Sequence, residues 1–189
     1  RRRLPSRFSP SVSPLGITWL LIPFGFWFGR RLAQNGNRPK STGKALLLCA
    51  LGMAVLVGGR LFAFNFIGPS ADEVKAGAVL TVEQWQMRAL VMNGGAFAGG
   101  LLMLVGWPRA WFVLVLYGIL ARIPVMVVQY LAVEKNWDVH FGKGLPGLPP
   151  EMLLFGLTLA QAVFWPFGLT VLVGGLFALL GAATVKRAG

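Results

Sequence analysis

The chain alternates long apolar runs with short polar ones on a scale of about twenty residues, not every second or every third to fourth position. A helix that is apolar all round has no face to give to water, so such runs predict helices buried in protein or in lipid. A helix rises about 1.5 Å per residue and bilayer hydrocarbon is about 30 Å thick, so one crossing needs about 20 such residues. The runs 45–67, 89–107, 110–133 and 152–182 meet that length. Polar stretches at 68–88 and 134–151 and a tight Pro108-Arg109 corner separate them, and Pro166 predicts a bend inside the last run.

A further apolar run at 15–29 amounts to about 21 Å of helix, short of a full crossing, and contains Pro23. Ser13-Pro14 ahead of it reads as an N-cap and first-turn proline, and Arg30-Arg31 complement the negative end of the helix dipole. A cleaved leader is the competing reading, but arginines follow the run where a small-x-small cleavage site would stand. The expected fold is an all-α integral membrane protein: a four-helix transmembrane bundle over 45–185, plus a short N-terminal helix that is re-entrant or a fifth crossing.

Composition fits that reading. Hydrophobic residues make up 56% and charged residues 13% of the 189 positions, which excludes an ordinary soluble domain and a disordered chain. With Cys49 as the one cysteine, a disulfide framework is excluded as well.

Eighteen Lys and Arg against six Asp and Glu give a net charge of +12, and topology accounts for it better than nucleic acid does. The acids fall in two stretches: Asp72, Glu73 and Glu83 in one, Glu134, Asp138 and Glu151 in the other. Most of the bases fall in segments 1–14, 30–44 and 186–189 and at Arg109. The positive-inside rule therefore predicts a cytoplasmic C-terminus, acidic outer loops and a multi-pass protein of a bacterial inner membrane. Anionic headgroups are the expected partner, each nearby base contributing about 1 kcal/mol, and no nucleic acid is expected. Trp27, Trp85, Trp107, Trp111 and Trp137 stand at predicted helix ends, where indoles are expected in a wet interfacial belt.

Helices in lipid associate where small residues let backbones approach. Gly95-x-x-x-Gly99 and Ala96-x-x-x-Gly100 predict that the run 89–107 lies at the bundle centre, with Gly58, Gly59, Gly174 and Gly175 as further contact points.

Candidate chemistry is sparse. His140 is the single histidine, so a multi-histidine metal site and bis-histidine haem are excluded within the chain, and the sequence names no cofactor. Asp138 and His140, two apart in the polar stretch 134–151, are the weak catalytic candidates. The loop Gly36–Lys44 lacks phosphate-loop spacing and the final Ser or Thr, and reads as a basic surface loop.

Arginines inside apolar runs are more informative. Arg60 is about 11 Å from its helix end, within snorkelling range, whereas Arg122 is about 17 Å from either end, where an arginine costs at least about 2.5–3.5 kcal/mol. No acid lies in any of the four runs. Arg122 has three candidate partners: the Leu120 carbonyl freed by Pro124, a bound ligand, or another subunit. Gly118, Arg122 and Gln129 share one helical face, Thr158, Gln161 and Trp165 another, and Asn65 and Asn93 add polar groups at similar depth.

Three functions follow. A non-catalytic subunit or interaction protein of a membrane assembly is the leading expectation, because composition is explained by spanning and packing. A small transporter or binder of an anionic or quinone-like ligand would use Arg122, Arg60, Gln129, Gln161, Thr158 and Asn93. An outer-surface lipid-modifying enzyme would use Asp138, His140 and Arg60, though missing membrane-enzyme signatures lean against enzyme activity.

Overall fold

The computed structural model describes residues 17–70, 72–73, 76–135 and 150–186, with no strand among them. A 3-10 turn, Ile17–Leu20, leads into α1, Leu21–Gln34, followed by α2, Thr42–Phe66, α3, Val82–Gly106, and α4, Pro108–Glu134. The last helix is continuous but changes pitch: α5, Pro150–Leu159, a π-helical segment, Ala160–Thr170, and α6, Val171–Ala183. Four helices are long and apolar enough to cross a membrane, Thr42–Phe66, Val82–Gly106, Pro108–Glu134 and Leu154–Ala183, and α1, of 14 residues, is a further, shorter helix. The protein is thus an all-helical, polytopic membrane protein.

Local chemistry sets where the helices begin. The Ser41 hydroxyl accepts the Lys44 N–H at 3.2 Å and opens α2 ahead of its apolar run. Thr81 and Gln84 form a reciprocal capping box, with bonds of 3.2 and 3.1 Å, that starts α3 at Val82. Residues 82–88, polar in sequence, are therefore the first turns of α3. Pro23 sits in the first turn of α1, where no intrahelical donor is lost, and α1 continues through Arg30 and Arg31 to Gln34.

Pro166 explains the change of pitch. In an α-helix its ring would strike the carbonyl of Ala162 and remove one bond, and widening to the i→i+5 pattern moves that carbonyl clear. At Pro166, where the sequence predicts a bend, the structure shows this widened turn.

Backbone contacts hold the bundle. α2 and α3 cross where Gly52 faces Gly99 and Gly59 faces Gly95, whose Cβ would lie 3.5 Å from the Gly59 Cα. A second face of α3 packs the last helix: a Cβ on Gly168 would stand 2.9 Å from Ala96 Cβ, and one on Gly175 3.1 Å from Met103 Cε. α1 runs parallel to α6, with Gly25 against Gly174 and Gly29 against Ala178. Both therefore finish at one end, where Arg38 donates to the carbonyls of Val185, at 2.6 Å, and Lys186, at 3.0 Å.

That end is basic. It gathers Arg30, Arg31, Lys40, Lys44 and Arg109, and a groove of about 440 Å³ opens there between the 36–44 loop and the α3–α4 corner. Glu83, Glu134 and Glu151 stand at the opposite helix ends. Two of the expected interfacial tryptophans have turned inward. Trp107 and Trp111 are buried, donating to the carbonyls of Asn37 at 3.2 Å and Gly100 at 2.9 Å, because those carbonyls satisfy an indole N–H as well as water does.

Candidate intramembrane polar site

The site is built where α4 meets the π-helical segment. Gly118 brings the two backbones together: a Cβ there would lie 2.9 Å from Pro166 Cα. One turn further along α4, the Arg122 guanidinium lies over the Trp165 ring, 4.0 Å from its centroid. By helical rise Arg122 is about 21 Å from the start of α4 and about 18 Å from its end, close to mid-span.

Arg122 is 6% exposed, and its Nε has no hydrogen-bond partner. Among the described residues it forms no hydrogen bond and no ion pair. The Leu120 carbonyl freed by Pro124 therefore does not serve as its partner; the guanidinium lies on the indole face, with Tyr117 close enough to interact electrostatically. Such stacking contributes about 2 kcal/mol when desolvated, well short of the cost of burying a charge.

Three further buried amides stand on α3, α4 and the π-helical segment. Gln129, two turns from Arg122 on the same face of α4, is 1% exposed, and Gln161, four residues before Trp165, is 6% exposed. The Oε1 atoms of both lack partners. Asn93 on α3 donates its Nδ2 to the Ala89 carbonyl at 2.7 Å, leaving Oδ1 buried and unpartnered. Gly156 against Trp85 and Gly168 against Ala96 set the register of α3 on the last helix. That register puts Asn93 level with about residues 164–165, at the depth of Trp165.

Two expected members stand elsewhere. Thr158 is exposed on α5. Arg60 is exposed on α2 with its guanidinium 5.0 Å from the Phe64 ring, and α2 meets α3 through Gly59 and Gly95, not through the Ala96–Gly100 face beside the π-helical segment. Asp138 and His140 lie outside the described residues.

One arginine escaped the sequence reading. Arg88 is buried, donates Nε to the Ile67 carbonyl at 2.6 Å and a terminal nitrogen to the Pro69 carbonyl, and lies 5.3 Å from the Phe64 ring. It closes the C-terminal end of α2, where a cation meets the negative end of the dipole. The available signal was Thr81-x-x-Gln84, which starts α3 early enough to carry Arg88 into the bundle.

The arrangement offers one buried cation, three unpaired amide oxygens and no adjacent acid among the described residues. The chain matches no protein-family model, and comparison with curated proteins and with solved structures gives no match.

Proposed function

We propose that this polytopic membrane protein binds a small anionic or quinone-like molecule within its helical bundle, with Arg122 as the anchor. The supporting observation is the burial of Arg122 inside its own chain, at 6% exposure, with Nε unpartnered. Buried charges persist when something compensates them. A neighbouring subunit reaches a surface arginine, whereas a residue enclosed between α4 and the π-helical segment is reached by a small guest. Mid-span depth also sets it apart from the headgroup layer. Carriage of the guest across the membrane would be a further step built on the same anchor.

The test is native mass spectrometry of the protein released from mild detergent, comparing the wild type with Arg122→Met. A small molecule retained by the wild type and lost from the folded variant supports the reading. A wild type that carries nothing, and is stabilised by none of a panel of small carboxylates and quinones, overturns it.

A second reading, a non-catalytic subunit of a membrane assembly, draws on the outer faces of α2 and α3. Ala50, Ala54 and Gly58 form an exposed row on α2, Gly94 and Ala98 another on α3, and a Cβ on Gly58 or Gly94 would meet nothing within 4 Å. Such rows admit another helix closely. Co-purification of a partner, lost on Gly58→Leu, would favour it. In either reading the basic end faces the cytoplasm of a bacterial inner membrane, and Lys40, Lys44 and Arg109 contact anionic headgroups.

A further inference from the structure

Three uncompensated bases border one groove at the basic end. The cleft of about 440 Å³ is lined by Lys40 and Lys44 on the side of the 36–44 loop and by Arg109 on the side of the α3–α4 corner. All three are exposed, and among the described residues their side chains have no hydrogen bond or ion pair. Arg38 also lines the groove, but its guanidinium is engaged by the carbonyls of Val185 and Lys186. No Asp or Glu occurs in residues 1–71 or 84–133, so neither wall supplies a counter-ion.

The walls are fastened together. The buried Trp107 indole donates to the Asn37 carbonyl at 3.2 Å and ties the loop to the corner, while Arg38 ties the same loop to the end of α6. Like charges held together in this way repel, and an anion between them removes the repulsion. A phosphate group suits the place, because its oxygens point in several directions and can meet separate bases at once. Ser41 adds a hydroxyl: its oxygen accepts the Lys44 N–H, which leaves its O–H to donate.

An apolar wall identifies the source of the phosphate. Val105 of α3 lines the same groove and is 63% exposed, and Leu47, one turn along α2 from Lys44, is 60% exposed. Both belong to helices of spanning length. A groove with bases on one side and membrane-facing apolar side chains on the other fits an amphiphile.

Resting on the reading that this end contacts anionic headgroups, and separate from Arg122, about 20 Å along α4 from Arg109, we propose that the groove is a discrete site for one anionic phospholipid. Its phosphodiester lies among Lys40, Lys44 and Arg109, and its acyl chains run beside Val105 and Leu47. Diffuse attraction treats every base at this end alike, whereas such a site singles out three of them and saturates at one lipid.

The experiment is native mass spectrometry of the full chain in mild detergent, titrated with phosphatidylglycerol or phosphatidylcholine. The first phosphatidylglycerol should bind roughly tenfold or more tighter than the second, and than the first phosphatidylcholine. Lys44→Gln and Arg109→Gln should each weaken that first lipid about fivefold. Arg30→Gln removes the same charge from an exposed base at the same end but outside the groove, and should leave the affinity within about twofold. Equal weakening by all three substitutions would overturn the discrete site and leave diffuse headgroup contact standing. No preference for phosphatidylglycerol over phosphatidylcholine would overturn both. Displacement of the first lipid by an equal concentration of inorganic phosphate would overturn the lipid as occupant. The comparison of lipids on the wild type requires no variant to fold.

Discussion

Gly99 of α3 and Gly52 of α2 face each other with no side chain between them, and a Cβ on Gly99 would stand 2.5 Å from the Gly52 carbonyl oxygen. No rotamer relieves that clash, because the obstruction is backbone. Gly99→Leu should therefore force α2 and α3 apart and destabilise the fold by about 2–4 kcal/mol. Gly94→Leu, on the same helix but with nothing within 4 Å of its Cβ, should stay within about 0.5 kcal/mol of the wild type. Thermal unfolding of both variants in one detergent checks the contrast, and equal melting temperatures would refute it.

Arg88 holds the end of α2 through the Ile67 and Pro69 carbonyls. Charge-assisted bonds of this kind contribute about 1.5–3 kcal/mol each, and their removal strands buried acceptors. Arg88→Met should cost about 2–4 kcal/mol. Its signature should be local, with backbone hydrogen exchange rising at residues 62–70 before it rises in α4. Arg60→Met, on the exposed face of α2, should leave that exchange unchanged.

How far the fold was readable depends on which feature is considered. The four long helices were legible because an apolar run of spanning length admits no other soluble or membrane structure that satisfies its backbone. Their starts were not, because capping by Ser41 and by Thr81 with Gln84 builds helix from polar residues that a hydropathy pattern assigns to loops. The depth of Arg122 followed from counting residues. Its seat on Trp165 did not, since that contact depends on the widened turn at Pro166. Thr158 illustrates the same limit: a helical wheel of constant pitch groups it with Gln161, yet it precedes the pitch change and ends exposed. Trp107 and Trp111 were misassigned because a helix-end indole can choose between water and a backbone carbonyl, and only the tertiary contact decides.

Outside the spans, Ser70 and Glu73 exchange hydrogen bonds, the Ser70 N–H donating to the Glu73 carboxylate at 2.7 Å and the Glu73 N–H to the Ser70 hydroxyl at 3.3 Å. The backbone bond from Ser70, with its side-chain bond second, holds the Glu73 carboxyl below its usual pKa. A carboxylate whose folded pKa is lowered contributes stability in full above its unfolded pKa, and that contribution fades as pH falls through the folded value. The local turn should therefore loosen below about pH 4, the ordinary glutamate range. The protection factor of the Ser70 and Glu73 amides, taken against the intrinsic exchange rate at each pH, should fall on acidification in the wild type and be low and unchanged by acid in Glu73→Gln. An equal acid response in both would refute the assignment.

Arg122 gives the sharpest separation between a structural and a functional residue. A structural arginine would lower stability when replaced, because its bonds would be lost, but among the described residues Arg122 makes no hydrogen bond or ion pair and has the Trp165 face and its proximity to Tyr117 to lose. Against that small loss stands removal of a buried charge that no carboxylate offsets, and replacing buried ionic groups with apolar ones of similar volume is often neutral or stabilising by about 1–4 kcal/mol. Methionine keeps much of the side-chain length and can lie against the indole edge. Arg122→Met should therefore unfold at the same temperature as the ligand-free wild type or a few degrees higher, while losing any gain in melting temperature that a small carboxylate or quinone gives the wild type. A variant less stable than the ligand-free wild type by more than about 2 kcal/mol would instead place Arg122 among the residues that hold the bundle together.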